Sequence, residues 1–249
     1  MKFGKICAVL GVLFCTTSLY ATSYTLYDGS LGGTPDQQGY LDLLAYPQGS
    51  PDYHGETGGV TTFSTHSNTL FGFAYDTWSW NTLSLDRNKG YSLSINMKIN
   101  SETHYEPYNQ AGFSIALSSG DSYGVWVAFW NNEIWVIDGV SGNNFTKGNS
   151  FEFNTTTGFV DYDIFINDDS YDIHANGASI LTGALRTGIL FGDLNYIAIG
   201  DLANLASVDA SIASIILNDD YQTVPIPEPA SCVLLIAGLF GLVRRKIKK

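Results

Sequence analysis

Residues 124–138 read Gly124-Val125-Trp126-Val127-Ala128-Phe129-Trp130-Asn131-Asn132-Glu133-Ile134-Trp135-Val136-Ile137-Asp138. β-Branched and aromatic residues fill the run, no proline interrupts it, and Asn131-Asn132 divides it in two. Asn accepts positive φ more readily than most residues, so the pair predicts a two-residue hairpin turn. Counting outward pairs Trp130 with Glu133, Phe129 with Ile134, Ala128 with Trp135, Val127 with Val136 and Trp126 with Ile137. Side chains alternate along a strand, so one face holds Val125, Val127, Phe129, Ile134 and Val136. The other holds Trp126, Ala128, Trp130, Glu133, Trp135 and Ile137. Both faces are apolar, which predicts a hairpin inside a sheet and not at its edge.

The same period runs outward from this hairpin. Tyr91, Leu93, Ile95, Met97 and Ile99 alternate with Ser92, Ser94, Asn96, Lys98 and Asn100, a half-buried strand. Phe113, Ile115 and Leu117 repeat the pattern, and strand-like segments recur near 59–65, 70–75, 196–200 and 207–217. A second hairpin spans 160–176 with Asp168-Asp169 as its turn. It pairs Ile166 with Tyr171, Ile164 with Ile173 and Tyr162 with Ala175 on an apolar face. Phe165 then faces Asp172, Asp163 faces His174 and Asp161 faces Asn176; a one-residue slip would mix the two sets. Gly, Asn, Asp and Ser punctuate the segments at short intervals, and no long helical period occurs before residue 230. The expectation is an all-β sandwich in one domain over 22–223.

Charge and cysteine narrow the function classes. Of 24 Asp and Glu, Glu228 alone lies outside 22–225, and of 12 Lys and Arg only Arg87, Lys89, Lys98, Lys147 and Arg186 lie inside. The difference, 5 minus 23, is −18, which repels nucleic acid and anionic lipid and suits solubility, cation binding or a neutral polymer. Cys7, Cys15 and Cys232 all fall outside the domain, so its core is expected to hold by burial without disulfides.

The two ends read as targeting segments. Lys2 and Lys5 precede a short apolar run, 6–14, and Leu19-Tyr20-Ala21 offers a small residue for cleavage, so 1–21 reads as a secretory signal peptide. Phe14 before Cys15 is bulky where a lipoprotein signal wants a small residue. Val224-Pro225-Ile226-Pro227-Glu228-Pro229 is an extended linker, followed by an apolar run over 230–243 and the tail Arg244-Arg245-Lys246-Ile247-Lys248-Lys249. A helix of that length reaches roughly 21 Å, so it crosses a core of about 30 Å only with tilt or thinning. The basic tail favours a cytoplasmic end.

This order resembles the PEP-CTERM sorting signal of exopolysaccharide-producing Gram-negative bacteria. The resemblance covers 224–249 and rests on Pro227, Glu228, Pro229, Arg244 and Arg245. It implies an exosortase partner acting near Pro227-Glu228-Pro229, an inner-membrane anchor before processing, and then the envelope surface or the extracellular matrix. The domain itself resembles concanavalin A-like jelly rolls. The likeness lies in Ala111-Gly112-Phe113-Ser114 through Trp135, in Asp172-Ile173-His174-Ala175-Asn176-Gly177 and in Ile197-Ala198-Ile199-Gly200-Asp201. The opening Tyr27-Asp28-Gly29-Ser30-Leu31-Gly32-Gly33-Thr34-Pro35, with Gln38-Gly39-Tyr40, resembles the Y-type choice-of-anchor domain. Over most of 24–217 the resemblance implies a concanavalin A-like jelly-roll sandwich, and for the choice-of-anchor group it implies no activity.

Sandwiches of that kind include glycoside hydrolases, whose laminarinase-like members carry two glutamates four apart on one strand face. Here Glu133 and Asp138 are five positions apart, on opposite faces, and do not flank one glycosidic bond. The expectation is therefore a non-enzymatic surface or matrix protein. Asp161 and Asp163 share a face with His174 across the ladder, a trio that could bind metal but reads more simply as a solvated polar face. Asp168, Asp169 and Asp172 could help hold calcium, yet no Asp-x-Asp-x-Asp-Gly loop is present and turn chemistry explains the pair. No cofactor is expected. Trp126, Trp130 and Trp135 with Glu133 form the candidate ligand face: flat rings beside polar groups suit weak polysaccharide binding. The alternative packs these rings in the sandwich core and turns the Val/Phe face outward.

Overall fold

The computed structural model describes residues 22–46, 53–66, 69–76, 83, 85–142, 144–188 and 195–219. The expected leader and sorting tail lie outside them. Sixteen strands and no α-helix occur among the described residues. The first eight are β1 (Thr22–Asp28), β2 (Asp42–Tyr46), β3 (Tyr53–Glu56), β4 (Thr61–Ser64), β5 (Leu70–Asp76), β6 (Tyr91–Thr103), β7 (Phe113–Ser118) and β8 (Tyr123–Trp130). Next come β9 (Glu133–Ser141), β10 (Asn144–Glu152), β11 (Val160–Asn167), β12 (Ser170–Ala175) and β13 (Ala178–Ala184). The last are β14 (Arg186–Thr187), β15 (Tyr196–Asp201) and β16 (Ser207–Asp219).

They form two antiparallel sheets. The first runs β13-β12-β11-β6-β16-β4-β3, with β1 also beside β16. The second runs β10-β9-β8-β7-β15-β5-β2, with β14 beside β8. β16 is long enough to hold β6 on one side and, on the other, β4 at residues 209–212 and β1 at residues 214–219.

Both hairpins take the register their alternation predicts. Trp130 pairs with Glu133, Phe129 with Ile134, Ala128 with Trp135 and Val127 with Val136, and β8 and β9 are interior strands. Ile166 pairs with Tyr171, Ile164 with Ile173 and Asp163 with His174. Asp168 takes positive φ in its turn, as its short polar side chain allows, but Asn131 and Asn132 do not. Their turn is instead braced from outside. Phe153 N–H donates to Asn132 O and Thr155 N–H to Asn131 O, and Thr155 Oγ1 donates to Trp130 O at 2.8 Å.

The core between the sheets is built from the Val/Phe face. Val125, Val127, Phe129, Ile134 and Val136 join Leu93, Ile95, Ile164 and Ile173 of the first sheet in one buried cluster. Phe129 meets Tyr162 across the interface at 5.1 Å. The Trp face therefore points away from the first sheet. A second cluster covers it: Trp126, Trp130, Trp135 and Ile137 pack with Ala111, Phe145 and Ala203, brought by loops and by β10.

Two loops cross this outer face. Asp201, fully buried, accepts from Thr65 Oγ1 at 2.6 Å and from Ala203 N–H at 3.2 Å, which pins residues 202–206. Gln110 Oε1 accepts from Leu205 N–H at 2.8 Å and joins that loop to residues 104–110. Beneath them the floor is made of small residues. Ser114 faces Ala128 on one side and Gly200 on the other, and Gly200 faces Gly72. The glycines are required: a Cβ at Gly72 would lie 2.2 Å from Ile199 O, and Gly200 has φ +142°.

Candidate functional site

Trp130 ends β8 at the tip of its hairpin, where three other segments converge. His104, just past β6, stacks on its ring with centroids 4.1 Å apart and planes 12° from parallel. Lys147 of β10 holds its Nζ over the ring, 4.4 Å from the centroid. Trp135 meets Trp130 edge-on at 5.7 Å, and Phe145 packs on Trp126 at 5.0 Å. Lys147 Nζ also donates to Glu133 Oε2.

Glu102 orients His104. The imidazole Nδ1 lies 3.0 Å from Glu102 Oε2, and Gly112 N–H donates to Glu102 Oε1 at 3.1 Å. Burial pushes the Glu102 carboxyl above the usual carboxylate range, against the opposing pull of His104 and Gly112. Glu133 behaves oppositely. Its burial would raise it, but the hydrogen bonds from Lys147 and Ser150 and the Lys147 charge hold it below that range. Past His104 the chain turns over Glu106–Tyr108, and Asn109 Nδ2 donates to Phe145 O at 2.8 Å. Tyr105 and Tyr108, 40% and 36% exposed, stand at the rim with rings 5.3 Å apart. Exposed rings, two basic groups and carboxylates within one patch can hold a hydroxylated ring compound by its C–H face and its hydroxyls.

The expected ligand residues thus come together on one face, but largely covered. Trp135 is 0%, Trp130 8% and Trp126 9% exposed. Neither sequence alternative has this arrangement: the rings point away from the first sheet and yet are closed over by loops. Glu102, His104, Tyr105, Tyr108 and Lys147 were not singled out from sequence. The signal available was the composition of His104-Tyr105-Glu106-Pro107-Tyr108, aromatic and acidic in a connection longer than a hairpin needs.

The other candidates do not assemble. His174 Nε2 turns to Asp172 at 2.9 Å, while Asp163 accepts from Ser94 and Asp161 from Asn96, each at 2.5 Å. Ser94, Asn96, Asp161 and Asp163, without His174 or Asp172, line an open groove of about 480 Å³ on the outer face of the first sheet. Asp169 is paired with Arg87, whose guanidinium also reaches Asp168 O at 3.1 Å and Asp121 at 2.6 Å. Glu133 and Asp138 go to separate cations, Lys147 and Arg186. No group of three or more His, Cys, Asp or Glu side chains placed to hold a metal occurs among the described residues. Pro227, Glu228, Pro229, Arg244 and Arg245 lie outside them.

No family model matches the chain, and no curated protein matches it. Solved structures do resemble it in outline. A protein of unknown function from Shewanella oneidensis MR-1 is 12% identical at a TM-score of 0.47, over 83% of this chain and 90% of that one. The carbohydrate recognition domain of Emp46p in its metal-free form is 11% identical at 0.47, over 80% and 97%. The binding domain of botulinum neurotoxin DC is 13% identical at 0.45 over 74% of this chain, which spans only 45% of that one. Likeness of this degree identifies neither a family nor an activity.

Proposed function

We propose that the chain is an exported surface or matrix protein of a Gram-negative bacterium that binds polysaccharide without converting it. On this reading the sandwich is a concanavalin A-like jelly roll of the choice-of-anchor kind. An exosortase delivers it by acting near Pro227-Glu228-Pro229. The observation that carries the binding role is the patch at Trp130. There a stacked His104 and a Lys147–Glu133 pair adjoin the exposed rings of Tyr105 and Tyr108. Rings of that exposure can stack on pyranose faces, and the adjoining donors and acceptors can take hydroxyls.

The engagement of the carboxylates supports binding without conversion. Glu133 is tied to Lys147, and Glu102 is buried behind His104. Titration of the full chain with the host's exopolysaccharide and a glycan array tests the role, beside Tyr105→Ala, Tyr108→Ala and Lys147→Met. Saturable binding weakened by about tenfold in the tyrosine variants is expected. The absence of saturable binding would retire it. The complete burial of Trp135 favours a second reading, a purely structural matrix protein, and that result would leave it standing.

A further inference from the structure

Ser114, Trp126, Trp130 and Trp135 share the outer face of the second sheet, and each hides a polar atom. Ser114 Oγ and the three indole Nε1 atoms are buried and have no hydrogen-bond partner among the described residues. The register places the four residues around Ala128 on three adjacent strands. Ala128 lies between Ser114 and Trp135 across the strands, and Trp126 and Trp130 stand two positions to either side of it on β8. At about 3.3 Å per residue each of those two is roughly 7 Å from Ala128 along the strand. Unpartnered donors buried this deeply are costly, and native chains keep few of them. An indole N–H only donates, so the group they lack is an acceptor.

The cover is made of two loops, residues 104–109 and 202–206, with Phe145 of β10 over Trp126. Residues 104–109 lie over this face through the His104 stack on Trp130 and the Asn109 Nδ2 bond to Phe145 O. Charge bears on what enters. The domain carries −18 (5 minus 23), and Glu106, its side chain 79% exposed, stands beside His104 on the covering loop, so a polyanion is repelled.

We propose that these four donors form a covered subsite for a neutral sugar chain, whose hydroxyl and ring oxygens they bind once the joined loops 104–109 and 202–206 lift. The proposal rests on the polysaccharide-binding reading above and adds its depth and ligand class. Ser114→Ala and Trp126→Phe remove a donor while keeping most of the apolar volume. The full chain and both variants are titrated with neutral β-glucan and mannan oligosaccharides and with a uronate oligosaccharide of matched length. Tryptophan fluorescence and thermal melting are followed together.

Ser114→Ala is expected to melt unchanged or about 2–4 °C higher, since it discards an unpartnered buried hydroxyl. Its affinity for the neutral ligand should fall about tenfold, as should that of Trp126→Phe. If the wild type binds and both folded variants bind equally well, binding is confined to the Tyr105–Tyr108 rim. The subsite is then overturned while the binding role stands. A lower melting temperature for Ser114→Ala would show that its hydroxyl is a structural bond and would also overturn the subsite. Equal affinity for the uronate chain overturns the neutral class. Absence of binding by the wild type overturns the binding role, and this subsite with it.

Discussion

Trp130 is linked to two glutamates, Glu102 through His104 and Glu133 through Lys147. Because burial raises Glu102 in the folded state, its protonated form favours folding. That contribution is full below the ordinary glutamate value of about 4.3 and is lost as pH rises through the raised one. Glu102→Gln keeps the shape and removes the ionisation. Thermal melts from pH 4 to 7 should then show a shallower decline with rising pH than the wild type. Glu133 is lowered, so its contribution is present above the ordinary value and lost as pH falls through the folded one. Lys147→Met should therefore cost about 1–3 kcal/mol at pH 7, by leaving a half-buried carboxylate unpaired. In urea titrations that deficit should shrink toward pH 4. Trp130 and Glu133 were legible in the sequence because alternation alone puts them on one face. His104 and Lys147 were not, because they arrive from the loop after β6 and from β10.

At the scale of elements, the β8–β9 hairpin shows how far local pattern reaches. Its register was readable because both faces are apolar in a period of two, and a slip would misplace every ring. Its turn was misread in detail: Asn131 serves through its side chain, donating Nδ2 to Glu102 O at 2.7 Å, and not through positive φ. Residues 153–155 then hold the turn from outside, which no short-range pattern announces. Thr155→Val removes the bond to Trp130 O and should cost about 1 kcal/mol by denaturant unfolding, with the m-value unchanged. Gly72→Ala drives a Cβ into Ile199 O on the neighbouring strand and should cost about 1–3 kcal/mol, with the loss traced to β5–β15 pairing by hydrogen exchange.

For the whole molecule, the two-sheet sandwich and its acidic exterior belong together with the proposed destination. A core drawn from both sheets needs no disulfide, and none of the three cysteines lies in the sandwich. The sorting proposal predicts that Glu228→Ala, or replacement of Pro227 and Pro229, blocks cleavage. The full-length chain should then accumulate in the inner membrane, as read by immunoblot of membrane and secreted fractions. Equal release of these variants and the wild type would sink it.

Alternation, turn residues and charge were sufficient by themselves to determine an all-β chain, its two hairpin registers, its strongly acidic surface and the grouping of three tryptophans on one face. These are local properties: strand periodicity and pairing across a two-residue turn depend on neighbours in the chain. Only the tertiary structure decided which face of the β8–β9 hairpin meets the other sheet, because both faces are apolar and burial alone does not choose between them. It also decided that the tryptophans lie under residues 104–109 and 202–206, with His104 and Lys147 against Trp130. Those contacts join segments distant in sequence, and they depend on where β6 and β10 end relative to β8, which no local period records.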